Sequence, residues 1–320
     1  MKALRIARFA FLALALGFAA WFLADQWRSV QLEGGGSLIH LSWAPIAGAT
    51  ALVLAVYTLL IQLWRLVLSR WDGSRLPFVE AARVWTVSNL GRFIPGRVAQ
   101  IGAMAWMARE RGVSAVAATG SALLNTLINI AAGLAVALAA GGRLLEELRP
   151  GARGAALMLV VLAAAGLVVL PWVLPRAAAI AARLLGREDY APPNVPPSAI
   201  WLTAAGNVGA WLMYGLAFRL FTQGVLGSAD GALPAYIAVF SGSYIIGYVV
   251  LLAPGGLVAR EAALVAGMVA LGLATTPQAT VVAVTSRLWL TVVEVVPGLC
   301  FLAHSAVRRG STPTSGDATT

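Results

Sequence analysis

The chain has 320 residues, of which 60% are hydrophobic and 11% are charged, and its mean hydropathy is +0.83. Because a soluble domain carries about 25% charged residues, this composition excludes a soluble protein and indicates an integral membrane protein. The net charge of +10 belongs mainly to cytoplasmic loops in such a protein, so we expect no nucleic-acid partner.

Six apolar runs are long enough to be transmembrane helices, which need about 20 residues each. They cover residues 8–24, 44–68, 114–140, 154–174, 198–224 and 277–306. The basic residues before the first run are typical of a signal peptide, but the run itself is long for one. We therefore interpret it as a retained first span of an all-α polytopic membrane fold.

An apolar element between the second and third spans is interrupted in its middle. It covers residues 78–108, and its centre reads Asn-Leu-Gly-Arg-Phe-Ile-Pro-Gly-Arg-Val-Ala-Gln, from Asn89 to Gln100. Pro95 and Gly96 break a helix, because proline lacks the backbone N–H and glycine is conformationally permissive. Arg92 and Arg97 flank the break, and charged groups at membrane depth are costly and usually functional.

A second interrupted element, residues 234–273, repeats this pattern. Its Pro254-Gly255-Gly256 run leads into the charged pair Arg260-Glu261. Two broken apolar elements with nearby charge predict a midplane binding site built from half-helices. The alternative is a proline kink in each of two ordinary spans, whose arginines snorkel to the interface.

The order of these elements predicts an inverted repeat. Each half reads span, span, broken element, span, and the halves cover about residues 8–140 and 154–306. They begin on opposite sides of the membrane, which is typical of carriers. We expect one membrane domain, residues 1–307, with the two broken elements as re-entrant hairpins. Charge bias does not distinguish such hairpins from pairs of full spans, because both preserve sidedness.

The distribution of Lys and Arg predicts the orientation. The N-terminus and the basic segments 65–75, 109–111 and 176–187 fall in the cytoplasm, whereas residues 227–231 fall outside. Residues 176–187 predict a short interfacial amphipathic helix. The polar tail, residues 308–320, is predicted to be disordered and cytoplasmic. We expect both termini to lie on the cytoplasmic side of the inner (cytoplasmic) membrane.

The two Pro-Gly stretches resemble the signatures of the flippase-like membrane domain family, named for the transmembrane region of lysylphosphatidylglycerol synthase. The stretch from Asn89 to Gln100 resembles the first signature. The stretch Pro-Gly-Gly-Leu-Val-Ala-Arg-Glu resembles the second, with Val258 where the family has glycine. Ser286-Arg287-Leu288 resembles the family's arginine in the last span. The resemblance covers about residues 8–305 and implies a stand-alone member without the synthetase domain.

Several polar residues are candidates for binding a lipid head group. Arg92, Arg97 and Gln100 lie around the first break, where free N–H groups of a half-helix and planar guanidinium groups bind phosphate. In the second half, Arg260 is predicted to pair with Glu294, and Glu261 with Arg287, in a neutral crosswise network. The same four residues could instead serve structure alone, and a carboxylate could carry a coupling proton. Three further polar residues are predicted mainly to hydrogen-bond between helices: Asn125, Asn129 and Asn207.

The resemblance implies a lipid flippase-like protein rather than an enzyme, and it extends the expected substrates to polyprenyl-phosphate-linked lipids. The arginines of the candidate site predict an anionic head group, so the expected substrate is an anionic phospholipid or a polyprenyl-phosphate-linked lipid. The alternative is a non-transporting membrane partner of a glycosyltransferase or lipid-modifying enzyme. The sequence has no Walker loop, and its lone Cys300 and two separated histidines predict no metal or other cofactor. The lipid, the energy source and the oligomeric state are left open.

Overall fold

The computed structural model describes Arg28 and residues 38–93, 98–148, 150–184, 195–250 and 259–310. Within these ranges the chain forms nine α-helices and no strand, which confirms the all-α fold class. The helices are α1 Trp43–Trp71, α2 Phe78–Asn89, α3 Val98–Arg109, α4 Ala115–Leu148, α5 Ala152–Leu184, α6 Pro197–Leu226, α7 Leu233–Val250, α8 Ala259–Ala270 and α9 Thr276–Gly310. A 3-10 turn, Leu90–Phe93, continues α2.

Four of the helices are long and apolar enough to cross a membrane. These segments are Trp43–Asp72, Ala115–Gly142, Arg153–Arg176 and Thr276–His304. They coincide with the second, third, fourth and sixth predicted spans and support a helical membrane protein. The first predicted span, residues 8–24, lies outside the described residues.

The fifth predicted span corresponds to α6, which has 30 residues but is not one of those four apolar helices. It packs against α1, α4, α5, α7 and α9, so protein covers much of its surface. Its buried residues include the polar side chains of Thr203, Asn207 and Thr222. A helix that contacts other helices on most sides does not have to be apolar all round.

Two predicted helix ends are wrong. The fourth span was expected to end at Leu174, before a separate interfacial helix, but α5 continues unbroken to Leu184 with Pro171 and Pro175 inside it. Proline is tolerated within membrane helices because neighbouring groups satisfy the freed backbone. The tail was expected to begin at residue 308, but α9 includes residues 308–310.

The helices α1 and α6 form the most extensive helix–helix contact and run antiparallel. Just before α1 begins, the N–H groups of His40 and Ser42 donate to the carbonyls of Val225 and Gly224, at 2.7 and 2.8 Å. The start of α1 therefore lies beside the end of α6. The largest buried apolar cluster includes residues of both helices and of α4, α7, α8 and α9.

Each broken element forms two helices, most of which are too short to cross a membrane. The helices α2, α3 and α8 have 12 residues each, or about 18 Å at 1.5 Å per residue, against a hydrocarbon thickness of about 30 Å. The helix α7, with 18 residues, is longer. The arms pack against each other, α2 against α3 and α7 against α8. The two Pro-Gly centres, residues 94–97 and 251–258, lie outside the described residues.

Candidate functional site

A cavity of about 280 Å³ lies within the helix bundle, and side chains from both halves of the chain line it. Its polar lining includes three asparagines, one glutamine and one carboxylate: Asn89, Gln100, Asn125, Asn129 and Glu294. Its aromatic lining comes from four different helices: Tyr57, Trp85, Trp211, Tyr214, Phe240, Tyr244 and Tyr248. A polar cavity inside an apolar bundle is the kind of place where a membrane protein holds a polar group.

Two predicted site residues are joined at the first break. The amide Nε2 of Gln100, in the first turn of α3, donates to Oδ1 of Asn89, the last residue of α2, at 2.7 Å. This bond links the arms of the broken element on the side that faces the cavity. Both residues therefore lie where the sequence predicted a binding site.

The three asparagines predicted to hydrogen-bond between helices do so. Asn129 on α4 donates through Nδ2 to Oδ1 of Asn207 on α6 at 2.6 Å. Asn207, which is fully buried, donates to the Thr203 carbonyl at 2.8 Å and to Oδ1 of Asn125 at 3.4 Å. The amide of Asn207 therefore holds the cavity-lining amides of Asn125 and Asn129 in position.

Charged residues of α8 and α9 form a cluster that confirms half of the predicted crosswise network. Arg287 Nη1 donates to Oε1 of Glu261 at 2.5 Å. Arg260 Nη1 lies 3.9 Å from the same oxygen. Two guanidinium groups share one carboxylate, so the cluster carries one excess positive charge. All three side chains are at least 83% buried, since none exceeds 17% exposure.

The other half of the predicted network, Arg260 with Glu294, is not the contact that the structure shows. The Arg260 guanidinium lies 4.3 Å from the centroid of the Tyr244 ring and 5.9 Å from that of Phe240. The close approach of α7 to α8 explains this: a Cβ at Gly247 would lie 3.0 Å from the Arg260 Cβ. Glu294 lies at the cavity and is engaged with a neighbouring group.

The charged cluster, defined as Arg260, Glu261 and Arg287, has unused polar atoms. Among the described residues, Arg260 Nε and Nη2 and Glu261 Oε2 are buried without a hydrogen-bond partner. Tyr244 and Phe240, which cover Arg260, also line the cavity. The charged cluster therefore lies directly behind one wall of the cavity.

The remaining predicted site residues are not described by the structure. Pro95, Gly96 and Arg97 lie outside the described residues. The same holds for the second motif, Pro254, Gly255 and Gly256. Arg92 belongs to the 3-10 turn, but its side chain is outside the described part. A phosphate site at the half-helix after Gly96 therefore stays a prediction.

The aromatic lining was missed in the sequence. On α7, Phe240, Tyr244 and Tyr248 are spaced by four residues, so one face of that helix is aromatic, and this pattern could have been recognised. Trp85 and Trp211 lie on helices far apart in the chain, and nothing in their local sequence distinguishes them from interfacial tryptophans.

The chain matches no protein-family model and no curated protein sequence. Its resemblance to the flippase-like membrane domain family thus stays a hypothesis based on short motifs.

Proposed function

We propose that the protein is a flippase-like carrier that moves an anionic phospholipid or a polyprenyl-phosphate-linked lipid between the two leaflets. The observation that carries the proposal is the charged cluster behind the wall of a polar cavity. A lipid phosphate would neutralise its excess positive charge. The head group would occupy the cavity while the chains stay in the bilayer.

The unpaired atoms of Arg260 favour an anionic ligand. A buried donor without a partner costs about 1–3 kcal/mol, and more if it is charged, so such donors are unfavourable unless a ligand satisfies them. The guanidinium group offers two N–H donors in a planar fork, which suits two oxygens of one phosphate. Stacking on Tyr244 holds the fork in place.

We further propose that the two halves form an inverted repeat. The equivalent helices α1 and α6 pack antiparallel, as a two-fold axis in the membrane plane requires. In this repeat α9 is the equivalent of α4, and α2 is the equivalent of α7. The contact of α4 with α7 is therefore matched by the contact of α9 with α2. Such a pair of halves can exchange access to a shared cavity between the two sides.

Leaflet exchange in proteoliposomes tests the proposed function. The purified chain would be reconstituted with labelled phosphatidylglycerol and, separately, with a labelled polyprenyl phosphate. We expect exchange of at least one probe, and at least a tenfold loss in Arg260→Gln, because one charge-assisted phosphate contact is worth about 1.5–3 kcal/mol. Arg176→Gln is the matched control, since Arg176 is an exposed residue of α5 whose hydrogen bond, within the part of the chain that the structure describes, goes to the Trp172 carbonyl.

The outcome separates the carrier from the alternative function. Within the described residues Arg260 makes one ion-pair contact, at 3.9 Å, and stacks on Tyr244. The melting temperature of Arg260→Gln is therefore measured beside its transport, and Arg260→Lys, which keeps the charge, should retain more transport than Arg260→Gln. If folded wild-type protein exchanges neither probe, the carrier proposal is wrong. Co-purification of a glycosyltransferase or lipid-modifying enzyme, undisturbed in Arg260→Gln, would then support the non-transporting partner.

A further inference from the structure

The amide side chains of the cavity point to the chemistry of the head group. We infer that it is a neutral polyhydroxyl group, such as a hexose, joined to the lipid phosphate. This inference depends on the proposed function for the lipid part of the ligand, and it concerns what the cavity itself binds.

Each of these four cavity-lining amides uses one end for a protein hydrogen bond, which leaves its other end for a ligand. Asn89 and Asn125 accept through Oδ1, which leaves their NH₂ groups as donors. Gln100 and Asn129 donate through nitrogen, which leaves their carbonyl oxygens as acceptors. None of these four remaining ends is hydrogen-bonded within the described part of the chain. The wall thus offers two amide donors and two amide acceptors.

This mixture discriminates between classes of ligand. A hydroxyl group both donates and accepts, so a polyhydroxyl ring can satisfy both kinds of amide end. A bare phosphate only accepts and would leave the carbonyls of Gln100 and Asn129 unpaired. An ammonium group only donates and would leave the NH₂ groups of Asn89 and Asn125 unpaired. Unpaired buried groups are penalised, so the amide pattern favours hydroxyl groups.

The described lining of the cavity offers no cation for an anionic group. Glu294 is the only acidic residue among the described lining residues, and it already has a partner. The described lining contains no lysine or arginine. The positive charge lies instead behind Tyr244, in the charged cluster, where a phosphate next to the neutral group would reach it.

The aromatic lining and the volume agree with a sugar ring. Paired rings flank the amides: Tyr57 and Trp85 have centroids 5.5 Å apart, and Trp211 and Tyr214 have centroids 5.8 Å apart. The C–H faces of a sugar ring are apolar and can pack on such rings, while its hydroxyls reach the amides. The volume of about 280 Å³ is close to the lower end of ligand pockets, about 300 Å³, which suits one sugar head group.

Binding of three short-chain probes tests the inference. The methyl, hexosyl and aminoethyl esters of farnesyl phosphate share one chain and one phosphodiester group but differ in head group. Quenching of tryptophan fluorescence reports binding to the full-length protein in detergent, because Trp85 and Trp211 line the cavity. We expect the hexosyl ester to bind about tenfold more tightly than the methyl ester, as one or two net hydrogen bonds imply.

The variant Asn125→Leu should abolish this selectivity, because it removes one of the two amide donors of the cavity wall. Its fold should be retained, since Asn207 keeps its bonds to Thr203 and Asn129. The control is Thr58→Val, on an exposed part of α1 outside the cavity, which should keep full selectivity.

Each outcome bears on a different proposal. Equal affinity of the wild-type protein for the three probes, or tightest binding of the methyl ester, would overturn the sugar site. Tightest binding of the aminoethyl ester would also overturn it and would favour a cation among the aromatic rings. None of these results would argue against the proposal that the protein exchanges anionic lipids between leaflets. Selective hexosyl binding without leaflet exchange would retain the sugar site and reject the carrier.

Discussion

The contacts of Arg260 differ from those that the sequence predicted. Its neighbour Glu261 follows the predicted pairing with Arg287, but Arg260 stacks on Tyr244 and keeps two unpaired N–H donors. A buried ion pair alone is weak support for function, because it serves structure equally well. Arg260 adds a positive charge that Glu261 does not balance and has buried donor atoms without a partner, and this makes it the better candidate for a ligand contact.

Asn207 is the residue that we predict to matter most for joining α4 to α6. The substitution Asn207→Leu removes the acceptor of Asn129 and the donor to Asn125 while preserving size. Interhelical hydrogen bonds in membrane proteins contribute about 0.6 kcal/mol on average and up to about 1.7 kcal/mol, so we expect a loss of roughly 1–2 kcal/mol. Denaturant unfolding in detergent would measure it.

The control for Asn207 is Thr222→Val on the same helix. Thr222 is also fully buried, but its hydroxyl bonds only the Phe218 carbonyl of its own helix. We expect little change in stability. Equal losses in both variants would show that Asn207 acts through burial and not through the bond between helices.

At the scale of elements, the close approach of α6 and α7 depends on a missing side chain. A Cβ at Gly215 would lie 2.7 Å from the Ile237 Cα, and backbone atoms cannot move aside easily. We predict that Gly215→Ala lowers the free energy of unfolding by about 1–3 kcal/mol, as overpacking does. Thermal unfolding would measure the loss.

A matched substitution on the same helix provides the control. Gly209 has nothing within 4 Å of its added Cβ. Gly209→Ala should therefore be neutral, or stabilising by up to about 1 kcal/mol through helix propensity. If both alanine variants behave alike, steric contact with α7 is not the cause.

The junction of α4 and α5 contains a helix cap that depends on pH. The Glu146 carboxylate accepts from the N–H groups of Gly151 and Arg153, both at 3.0 Å. These two bonds, Gly151 first, hold the pKa of Glu146 below its ordinary value of 4.5. Because the pKa is lowered in the folded protein, the cap stabilises the fold above pH 4.5. This stabilisation is lost as the pH falls through the pKa that Glu146 has in the folded protein.

We predict that Glu146→Gln lowers the melting temperature at neutral pH, because the amide is a weaker acceptor than the carboxylate. The difference from wild type should shrink as the pH falls below 4.5, where the wild-type carboxylate also becomes neutral. Melting curves of both proteins at several pH values would measure it. If the difference in melting temperature between the two proteins is the same at neutral and acidic pH, the Glu146 carboxylate does not act as a cap.

At the scale of the whole molecule, the antiparallel packing of α1 and α6 decides which loops share a side. The segment after α1 and the turn after α6 lie at opposite ends of this pair. The Lys/Arg bias places the first in the cytoplasm and the second outside. The helix packing and the Lys/Arg bias therefore predict the same orientation of the protein in the membrane.

Labelling with a membrane-impermeant maleimide would test this topology. In a Cys300→Ser background, single cysteines would replace Arg75 and Ser228, which are both exposed. We expect Ser228→Cys to react in intact cells and Arg75→Cys to react only in inverted vesicles. Labelling of both from one side would contradict the predicted orientation.

The sequence by itself determined the membrane class, the helical fold, most helix positions and the pair of broken elements, because hydrophobicity and the Pro-Gly breaks act over short stretches of chain. It also predicted the pair Glu261–Arg287, and it indicated Asn89 and Gln100 as candidate binding residues, which line the cavity. It could not determine the cavity, because Tyr57, Trp85, Trp211 and Tyr244 come from four helices that only tertiary packing brings together. Nor could it show which end of each cavity amide remains free, because that depends on partners on other helices. The local pattern thus specifies the elements, whereas the packing between them decides which side chains face a ligand.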